Sequence, residues 1–351
     1  MKKTLKELAT YEKYFYYKTG KYNAITDVPG IKVGHATIIK GDNVRTGVTT
    51  VITEGIFEYD FAAGGFAFNA NGEFTGLQYV FEEGKLYCPI FLTNTISLGD
   101  VCTYAIDYYK PKMALPLIGE CWDGWLNDIW GRHVKREHVI ETIEMAKSGE
   151  VEQGCVGAGT GMTSFGFKSG IGTSSRKVKV LDKEYTVGIL VNNNMGHEDG
   201  RHKYLRIAGI DYSKLFGVYE EEGKENPGIR KNNSSIMIVA TDAPLDHRQL
   251  NRLSKHAVLG FARTGLVSYT GSGDFVFAFS TGNKFPRREA KVEYQVTTLE
   301  ETLLDDVFEA TLEAVEESYL NSLLMAEDMK GRDGHFIKAL PIEKLIEKIQ
   351  Q

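Results

Sequence analysis

Three apolar runs, YTVGILV (185–191), SSIMIVAT (234–241) and FVFAFST (275–281), contain no charged residue. A strand with one solvated face alternates apolar and polar side chains, whereas continuous runs of this length are typical of strands covered on both faces. Shorter strands are predicted at 31–39, 48–53, 66–69 and 90–95, each punctuated by Gly or Asn. The strands therefore indicate sheets that are enclosed between other layers.

Helical periodicity supplies the covering layers. Leu, Val, Phe and Ala recur at three- and four-residue spacing at 137–147, at 246–263 and most strongly at 299–325. No repeat with a period of 20 to 50 residues and no Pro/Ser-rich linker divides the chain. We therefore predict one large domain of the α/β (α+β) class, a sandwich of sheets covered by helices.

Charge and apolar content narrow the possible partners and location. The 351 residues carry 47 acidic and 41 basic side chains, a net charge of -6, with no block of five Lys or Arg. Such a chain is not expected to track a phosphate backbone, so nucleic acid is excluded as a partner. The first 23 residues lack the apolar run of a signal peptide, and no stretch reaches the length of a membrane span. We expect a cytoplasmic protein with no membrane partner.

The four cysteines, Cys88, Cys102, Cys121 and Cys155, show no C-x-x-C spacing and lie in apolar or Gly-rich surroundings. Such cysteines are typical of buried, reduced thiols.

Two other motifs carry little chemistry. The segment GCVGAGTGM (154–162) follows a predicted helix and runs into another Gly- and Ser-rich stretch, whereas a dinucleotide-binding turn leaves a strand and enters a helix. Tight packing or the lining of a pocket is the better interpretation. In HEDGRH (197–202) the two histidines are five residues apart, which is not the spacing of a helical zinc motif and favours a solvated loop.

No nucleophile elbow of the G-x-S-x-G type is present, so a Ser-His-Asp hydrolase is not supported.

The segment KNNSSIMIVATDAPL (231–245) places a polar, turn-forming Asn-Asn-Ser-Ser directly before a buried strand. The simple interpretation is a turn that enters a strand. The alternative is that a serine attacks the preceding carbonyl, cuts the chain and becomes an N-terminal residue. Its α-amine, with an ordinary pKa of about 7.7 to 8, can then act as general base for its own hydroxyl without a histidine.

A resemblance favours the second interpretation. The segments that carry it are DVPGIKVGHATI, VRTGVTTVI, CPIFLTNTISLGDV, ECWDGWLND, VGAGTGM, GFKSGIGTSSR, VGILVNNNMG, IVATDAPL, GFARTG and GSGDFVFAFST. In order and spacing, from about residue 27 to about residue 320, they resemble the L-aminopeptidase/D-esterase and β-aminopeptidase family of self-cleaving N-terminal-nucleophile hydrolases. The resemblance implies a four-layer αββα fold, shared with ornithine acetyltransferase. It divides the chain into an N-terminal extension, 1–26, and a single domain, 27–351.

The resemblance also places the cut. In the family the nucleophile lies eight residues before the aspartate of A-T-D-A-P-L, and counting back from Asp242 gives Ser234. Cleavage between Asn233 and Ser234 would yield an α chain, 1–233, and a β chain, 234–351. Ser235 is the rival, but Ser234 would then precede the cut, where relatives carry Gly or Asn.

Further site residues follow from matched positions. Ser272-Gly273-Asp274 resembles the family's S-x-E beside the new amine, with Asp in place of Glu. A nearby negative charge still stabilises a protonated amine, although the side chain is one methylene shorter. Asn194 matches the donor that stabilises the oxyanion.

Two residues of ECWDGWLND are implied to bind substrate. Glu120 resembles the carboxylate that receives the free ammonium group of the substrate. Trp125 occupies a position where an aromatic residue, often Tyr, is expected, and its indole cannot supply a phenol hydroxyl.

The predicted function is therefore the release of N-terminal amino acids from small peptides, amino-acid amides or esters through an acyl-enzyme on Ser234. The resemblance implies no metal, no organic cofactor and a homo-oligomer, commonly a tetramer of αβ pairs. Two alternatives remain at this point. One is an acyltransferase on the same fold, and the other is an unprocessed, non-catalytic relative that binds a small molecule.

Overall fold

Most of the long strands lie in the first two thirds of the chain, and the two longest helices lie in the last third. The computed structural model describes residues 2–8, 11–195, 204–207, 209–212, 233–287 and 293–349. Its strands are β1 (Ile31–Lys40), β2 (Val44–Thr53), β3 (Tyr59–Ala70), β4 (Phe74–Thr75), β5 (Lys85–Leu86), β6 (Ile90–Asn94), β7 (Leu117–Cys121), β8 (Thr163–Ser164), β9 (Phe167–Lys168), β10 (Ile171–Val180), β11 (Lys183–Asn194), β12 (Arg206–Ile207), β13 (Ile210–Asp211), β14 (Ser234–Thr241), β15 (Gly273–Pro286), β16 (Met329–Lys330) and β17 (Phe336–Ile337). Its helices are α1 (Tyr11–Tyr14), α2 (Leu77–Glu83), α3 (Leu98–Tyr109), α4 (Arg136–Glu144), α5 (His247–Arg263), α6 (Leu304–Leu324) and α7 (Ile342–Ile349).

Two sheets form the centre of the molecule. The first has the strand order β1-β2-β6-β7-β4, and the second has the order β10-β11-β14-β15-β3-β5. The three apolar runs of the sequence are neighbours in the second sheet, since β14 pairs antiparallel with β11 and parallel with β15. The start of β14 therefore lies between the end of β11 and the start of β15.

Side chains of β14 alternate between two apolar cores. Ile236, Ile238 and Ala240 belong to the core that both sheets share, whereas Met237 and Val239 belong to the core between the second sheet and helices α5 and α6. Helices α3 and α4 pack on the outer face of the first sheet. The layers are therefore helix, sheet, sheet, helix, and the predicted αββα fold is confirmed. The continuous apolar character of β14 follows from burial on both faces.

The predicted helices form with small shifts at their ends. Helix α5 begins after Asp246, whose side chain accepts a hydrogen bond from the Gln249 backbone N–H at 2.8 Å. Helix α6 begins at Leu304 rather than at 299, because a 3-10 turn, Glu301–Leu303, precedes it. Helix α4 ends at Glu144, before the predicted 147.

The strand prediction at 66–69 found only the end of β3, which begins at Tyr59. The missed part, YDFAAGG (59–65), contains Asp, Ala and Gly, which are depleted in strands. The glycines here allow close packing: a Cβ on Gly64 would lie 2.7 Å from the Asn251 backbone nitrogen of α5.

The Gly-rich segment 154–162 forms a 3-10 turn, Gly157–Gly159, and not a strand-to-helix turn. A Cβ on Gly159 would lie 2.3 Å from the Ile171 backbone nitrogen, and one on Gly161 would lie 2.2 Å from the Arg45 carbonyl oxygen. The glycines therefore allow the segment to pack tightly against β2 and β10.

The residues before β1 pack on α6. Leu5 and Phe15 are buried in the helix-side core, and the Leu5 backbone N–H donates to Asn321 Oδ1 at 2.7 Å. The Tyr16 backbone N–H donates to Glu313 at 2.8 Å. The boundary at residue 27 stays a prediction.

All four cysteines are free. Cys88 and Cys121 are buried as predicted, whereas Cys102 and Cys155 are half-buried. The burial prediction was therefore wrong for two of them, because Cys102 lies in helix α3 away from the buried positions of that helix and Cys155 lies in an irregular segment.

Candidate active site

Two adjacent serines open β14 and make different contacts. Ser234 Oγ accepts hydrogen bonds from the Trp122 backbone N–H and from Asn194 Nδ2, both at 3.2 Å. Ser235 Oγ is hydrogen-bonded to the Tyr319 hydroxyl of α6. Both serines are buried. Because neighbouring residues of a strand point to opposite faces, only Ser234 lies on the side of the first sheet.

Asn194 is the last residue of β11 and lies directly opposite Ser234 in the strand register. Its Oδ1 accepts the Thr163 backbone N–H at 3.1 Å, and its Nδ2 also donates to the Trp122 carbonyl at 2.7 Å. These two contacts fix which end of the amide is the donor. Asn194 therefore directs N–H toward the Ser234 hydroxyl.

Ser272 and Asp274 lie on either side of Gly273, the first residue of β15. Strand β15 pairs with β14 on the edge opposite to β11, so these two residues lie across β14 from Asn194. Gly273 lies opposite Ser234 and Asp274 opposite Ser235 in the parallel register. The Gly273 backbone N–H donates to the Asn233 carbonyl at 3.0 Å, so it contacts the peptide bond that precedes Ser234.

Asp274 is a fully buried carboxyl. Its Oδ2 accepts a hydrogen bond from Ser268, and its Oδ1 has no hydrogen-bond partner within the described part of the chain. Burial raises the pKa of Asp274 to about 6, while the nearby hydroxyls of Ser268 and Ser272 oppose the rise. A cation beside this carboxylate would relieve the cost of burying its charge.

Glu120 lies on β7, two residues before Trp122, and is almost entirely buried. Its carboxylate accepts hydrogen bonds from Thr95 Oγ1 and, at 3.0 Å, from the Glu73 backbone N–H. Burial raises the pKa of Glu120, and these two hydrogen bonds oppose the rise. A Cβ on Gly72 would lie 2.8 Å from Glu120 Oε1 and 3.2 Å from Gly273 Cα. Glu120 is therefore close to the start of β15 and to the Ser234 region.

Trp125 is placed against the C-terminal part of the chain. Its ring stacks on His335 with centroids 3.7 Å apart and planes within 9°, and its carbonyl oxygen lies 2.8 Å from His335 Nδ1. The tryptophan whose backbone contacts Ser234 is Trp122 instead. A substrate-binding role for Trp125 stays a prediction.

Sequence reasoning missed three contributors to this arrangement. The backbone N–H groups of Trp122 and Thr163 carry no side-chain signature, so no motif could have indicated them. Ser268 lies six residues before Asp274 on an irregular segment, and only the fold brings its hydroxyl to the carboxylate.

The described residues hold no group of three or more His, Cys, Asp or Glu side chains arranged to bind a metal ion. Nor do they include a helix long and apolar enough to cross a bilayer. The segment HEDGRH (197–202) lies outside the described residues.

Comparisons with known proteins match most of the chain. The sequence model of peptidase family S58 matches residues 23–337. The chain is 39% identical to β-peptidyl aminopeptidase BapA from Sphingosinicella microcystinivorans, over 93% of this chain and 88% of that protein.

Two solved structures are similar over nearly the whole chain. A protein from Pyrococcus horikoshii OT3 has 43% identity and a TM-score of 0.88, with 99% of both chains covered. The L-aminopeptidase D-Ala-esterase/amidase from Ochrobactrum anthropi, described as a prototype of the serine aminopeptidases and a variant of the Ntn hydrolase fold, has 33% identity and a TM-score of 0.87, with 96% of both chains covered.

Proposed function

Since the chain belongs to peptidase family S58 and is a serine aminopeptidase of the N-terminal-nucleophile type, we propose that Ser234 is its nucleophile. The observation that carries this assignment is the pair of hydrogen bonds that Ser234 Oγ accepts from Asn194 Nδ2 and the Trp122 N–H, each at 3.2 Å. Ser235 is held by the Tyr319 hydroxyl under helix α6 instead.

The nucleophile is generated when the chain cuts itself between Asn233 and Ser234. Ser234 Oγ attacks the Asn233 carbonyl carbon, the peptide C–N bond breaks, and the Ser234 nitrogen takes up the hydroxyl proton. Water then hydrolyses the resulting ester, which frees the Asn233 carboxylate and restores the hydroxyl. The Gly273 N–H, 3.0 Å from the Asn233 carbonyl oxygen, polarises the bond under attack.

In turnover the new α-amine of Ser234 is the general base. It takes the hydroxyl proton as Oγ attacks the acyl carbonyl of the substrate, and it returns a proton to the leaving amine or alcohol. Water then hydrolyses the acyl-enzyme. Asp274 and Ser272 orient this amine, and the carboxylate of Asp274 gains the cation that its burial lacks.

The oxyanion is stabilised by Asn194 and by a second donor, the Trp122 N–H. Both groups lie within hydrogen-bond distance of Ser234 Oγ, and therefore close to the oxygen of a carbonyl that this hydroxyl attacks.

Glu120 binds the free ammonium group of the substrate. The carboxylate is buried beside the start of β15, and this burial raises its pKa. Its described hydrogen-bond partners are the neutral Thr95 hydroxyl and the Glu73 backbone N–H. A substrate ammonium supplies the missing charge, which selects acyl groups with a free amine. Trp125 belongs to the same segment as Glu120, ECWDGWLND, and is proposed to line the same substrate-binding region.

The proposed substrates are short peptides, amino-acid amides and amino-acid esters with a free amino terminus. This class covers what the two named relatives act on, a β-peptidyl aminopeptidase and an L-aminopeptidase D-Ala-esterase/amidase. We further propose a cytoplasmic homo-oligomer, a tetramer of αβ pairs, that acts without metal or cofactor. No observation favours an acyltransferase over a hydrolase.

The deciding experiment is intact-mass analysis of the purified protein. It should give one chain of 233 residues and one of 118 that begins SSIMIV. An uncut chain of 351 residues that hydrolyses amino-acid p-nitroanilides would overturn the assignment of an N-terminal serine.

A further inference from the structure

A buried lysine that the proposed mechanism does not use lies behind Asn194. Lys168 has no solvent exposure, and its Nζ donates to three backbone carbonyls: Ser169 at 2.6 Å, Met162 at 2.9 Å and Gly159 at 3.3 Å. An ammonium has three N–H donors and no acceptor, so three carbonyls satisfy it completely. A neutral amine would turn its lone pair toward one of these carbonyl oxygens. Burial lowers the pKa of Lys168, but three carbonyl acceptors favour the charged form, so the geometry is that of a charged lysine.

One of the three carbonyls, that of Met162, is connected to Ser234 by a series of hydrogen bonds. Met162 C=O and Thr163 N–H belong to the same peptide group. That N–H donates to Asn194 Oδ1 at 3.1 Å, and Asn194 Nδ2 donates to Ser234 Oγ at 3.2 Å. Hydrogen bonds in such a row polarise one another, and they do so more strongly where water is excluded.

We propose that Lys168 is a positioning residue, which fixes and polarises the Met162–Thr163 peptide so that Asn194 becomes a stronger hydrogen-bond donor to the oxyanion that forms beside Ser234. The inference rests on the proposed role of Asn194 as oxyanion donor. Two hydrogen-bonded groups, the Met162–Thr163 peptide and the Asn194 amide, separate the charge of Lys168 from Ser234 Oγ.

Holding the Gly-rich turn in place does not by itself require this charge. The Gly157 N–H donates to Thr37 Oγ1 at 2.9 Å, the Ala158 N–H donates to Thr49 Oγ1 at 3.1 Å, and Thr160 Oγ1 donates to the Gly157 carbonyl at 2.7 Å. Neutral contacts therefore anchor the turn to β1 and β2. The Ser169 N–H also donates to the Met162 carbonyl, at 3.2 Å, so the lysine adds polarisation to a carbonyl that is already held.

The test is a double-mutant cycle of Lys168→Met and Asn194→Ala, with kcat and KM expressed per processed chain as measured by intact mass. We expect Lys168→Met to lower kcat about tenfold with little change in KM, because the oxyanion develops only in the transition state. In the Asn194→Ala background the same substitution should lower kcat less than about twofold. Lys168→Gln, which keeps donors but not the charge, should fall between Lys168→Met and the parent.

Thr160→Val is the matched control, since it removes a buried hydrogen bond of the same turn that does not reach Asn194. It should lower the melting temperature while kcat stays within about twofold. Equal losses of kcat from Lys168→Met in both backgrounds would make Lys168 a structural clamp only and overturn the inference.

If Asn194→Ala leaves kcat unchanged, the oxyanion role in the proposed function fails first, and the inference falls with it. Where Lys168→Met is cut too slowly to assay, the fraction processed at a fixed time is compared across the four proteins of the cycle. The same criterion applies there, because self-cleavage uses the same hydroxyl.

Discussion

The two faces of β14 carry adjacent serines in opposite surroundings. On the face toward the first sheet, Ser234 accepts hydrogen bonds from the Trp122 N–H and from Asn194 Nδ2. On the face toward the helices, Ser235 meets the Tyr319 hydroxyl, and burial raises the pKa of that phenol well above its usual value. A shift of one residue along a strand exchanges the faces, so the chemistry of each serine is set by its register.

The difference supports the proposal that Ser234, and not Ser235, is the nucleophile. Burial does not distinguish the pair, because both side chains are almost inaccessible. What distinguishes them is the direction of the neighbouring dipoles: donors converge on Ser234 Oγ, whereas Ser235 Oγ is engaged in a neutral hydroxyl pair.

Replacing each serine in turn gives the largest expected effect. Ser234→Ala should abolish both self-cleavage and turnover, since one hydroxyl performs both attacks. Ser235→Ala should be cut and active, with a free energy of unfolding lower by about 1 kcal/mol for the lost buried hydrogen bond. Intact mass and kcat/KM measure the two effects. Cleavage in Ser234→Ala, now before Ser235, would reverse the assignment of the two faces.

The next prediction concerns Glu120, which is proposed to bind the ammonium group of the substrate near Ser234. A free amine should be preferred over its N-acetyl form by about 10- to 100-fold in kcat/KM, because acetylation removes the charge that pairs with the carboxylate. Glu120→Gln should lose most of that preference. The measurement compares an amino-acid p-nitroanilide with its N-acetyl derivative in both proteins. Equal rates for the two substrates in the parent enzyme would remove Glu120 from the binding site.

The smallest effect concerns Asp274, which lies on the helix-side face beside Ser235 but is proposed to act on the Ser234 amine. The rate should rise with pH as that amine loses its proton, with a midpoint above the ordinary range of about 7.7 to 8, because an anion raises the pKa of a neighbouring amine. Burial raises the pKa of Asp274 itself to about 6, so it is the anion in this range. Asp274→Asn should lower the midpoint by about one pH unit.

Asp274→Glu is the control for that measurement, since it keeps the charge and should keep the high midpoint. An unchanged midpoint in Asp274→Asn would place Asp274 outside the mechanism and leave it a buried structural carboxyl.

Sequence reasoning identified the strands with continuous apolar runs because burial on both faces leaves a direct imprint on composition. It failed at the first half of β3, where Ala and Gly are depleted in strands generally but here permit close contact with α5. It also described the N-terminal residues only as an extension, although Leu5 and Phe15 pack into the helix-side core.

The sequence by itself determined that a polar Asn-Asn-Ser-Ser turn leads into a buried strand, and by resemblance it indicated Ser234, Asn194, Ser272, Asp274 and Glu120. Only the tertiary structure decided which groups meet. Asn194 and Ser234 are 40 residues apart in the chain and opposite each other in the sheet, and Ser268 reaches Asp274 from a loop. The Trp122 and Thr163 donors and the carbonyls around Lys168 are backbone atoms, which every residue possesses. Their role depends on where the chain passes, and that is fixed by packing between layers and not by residue type.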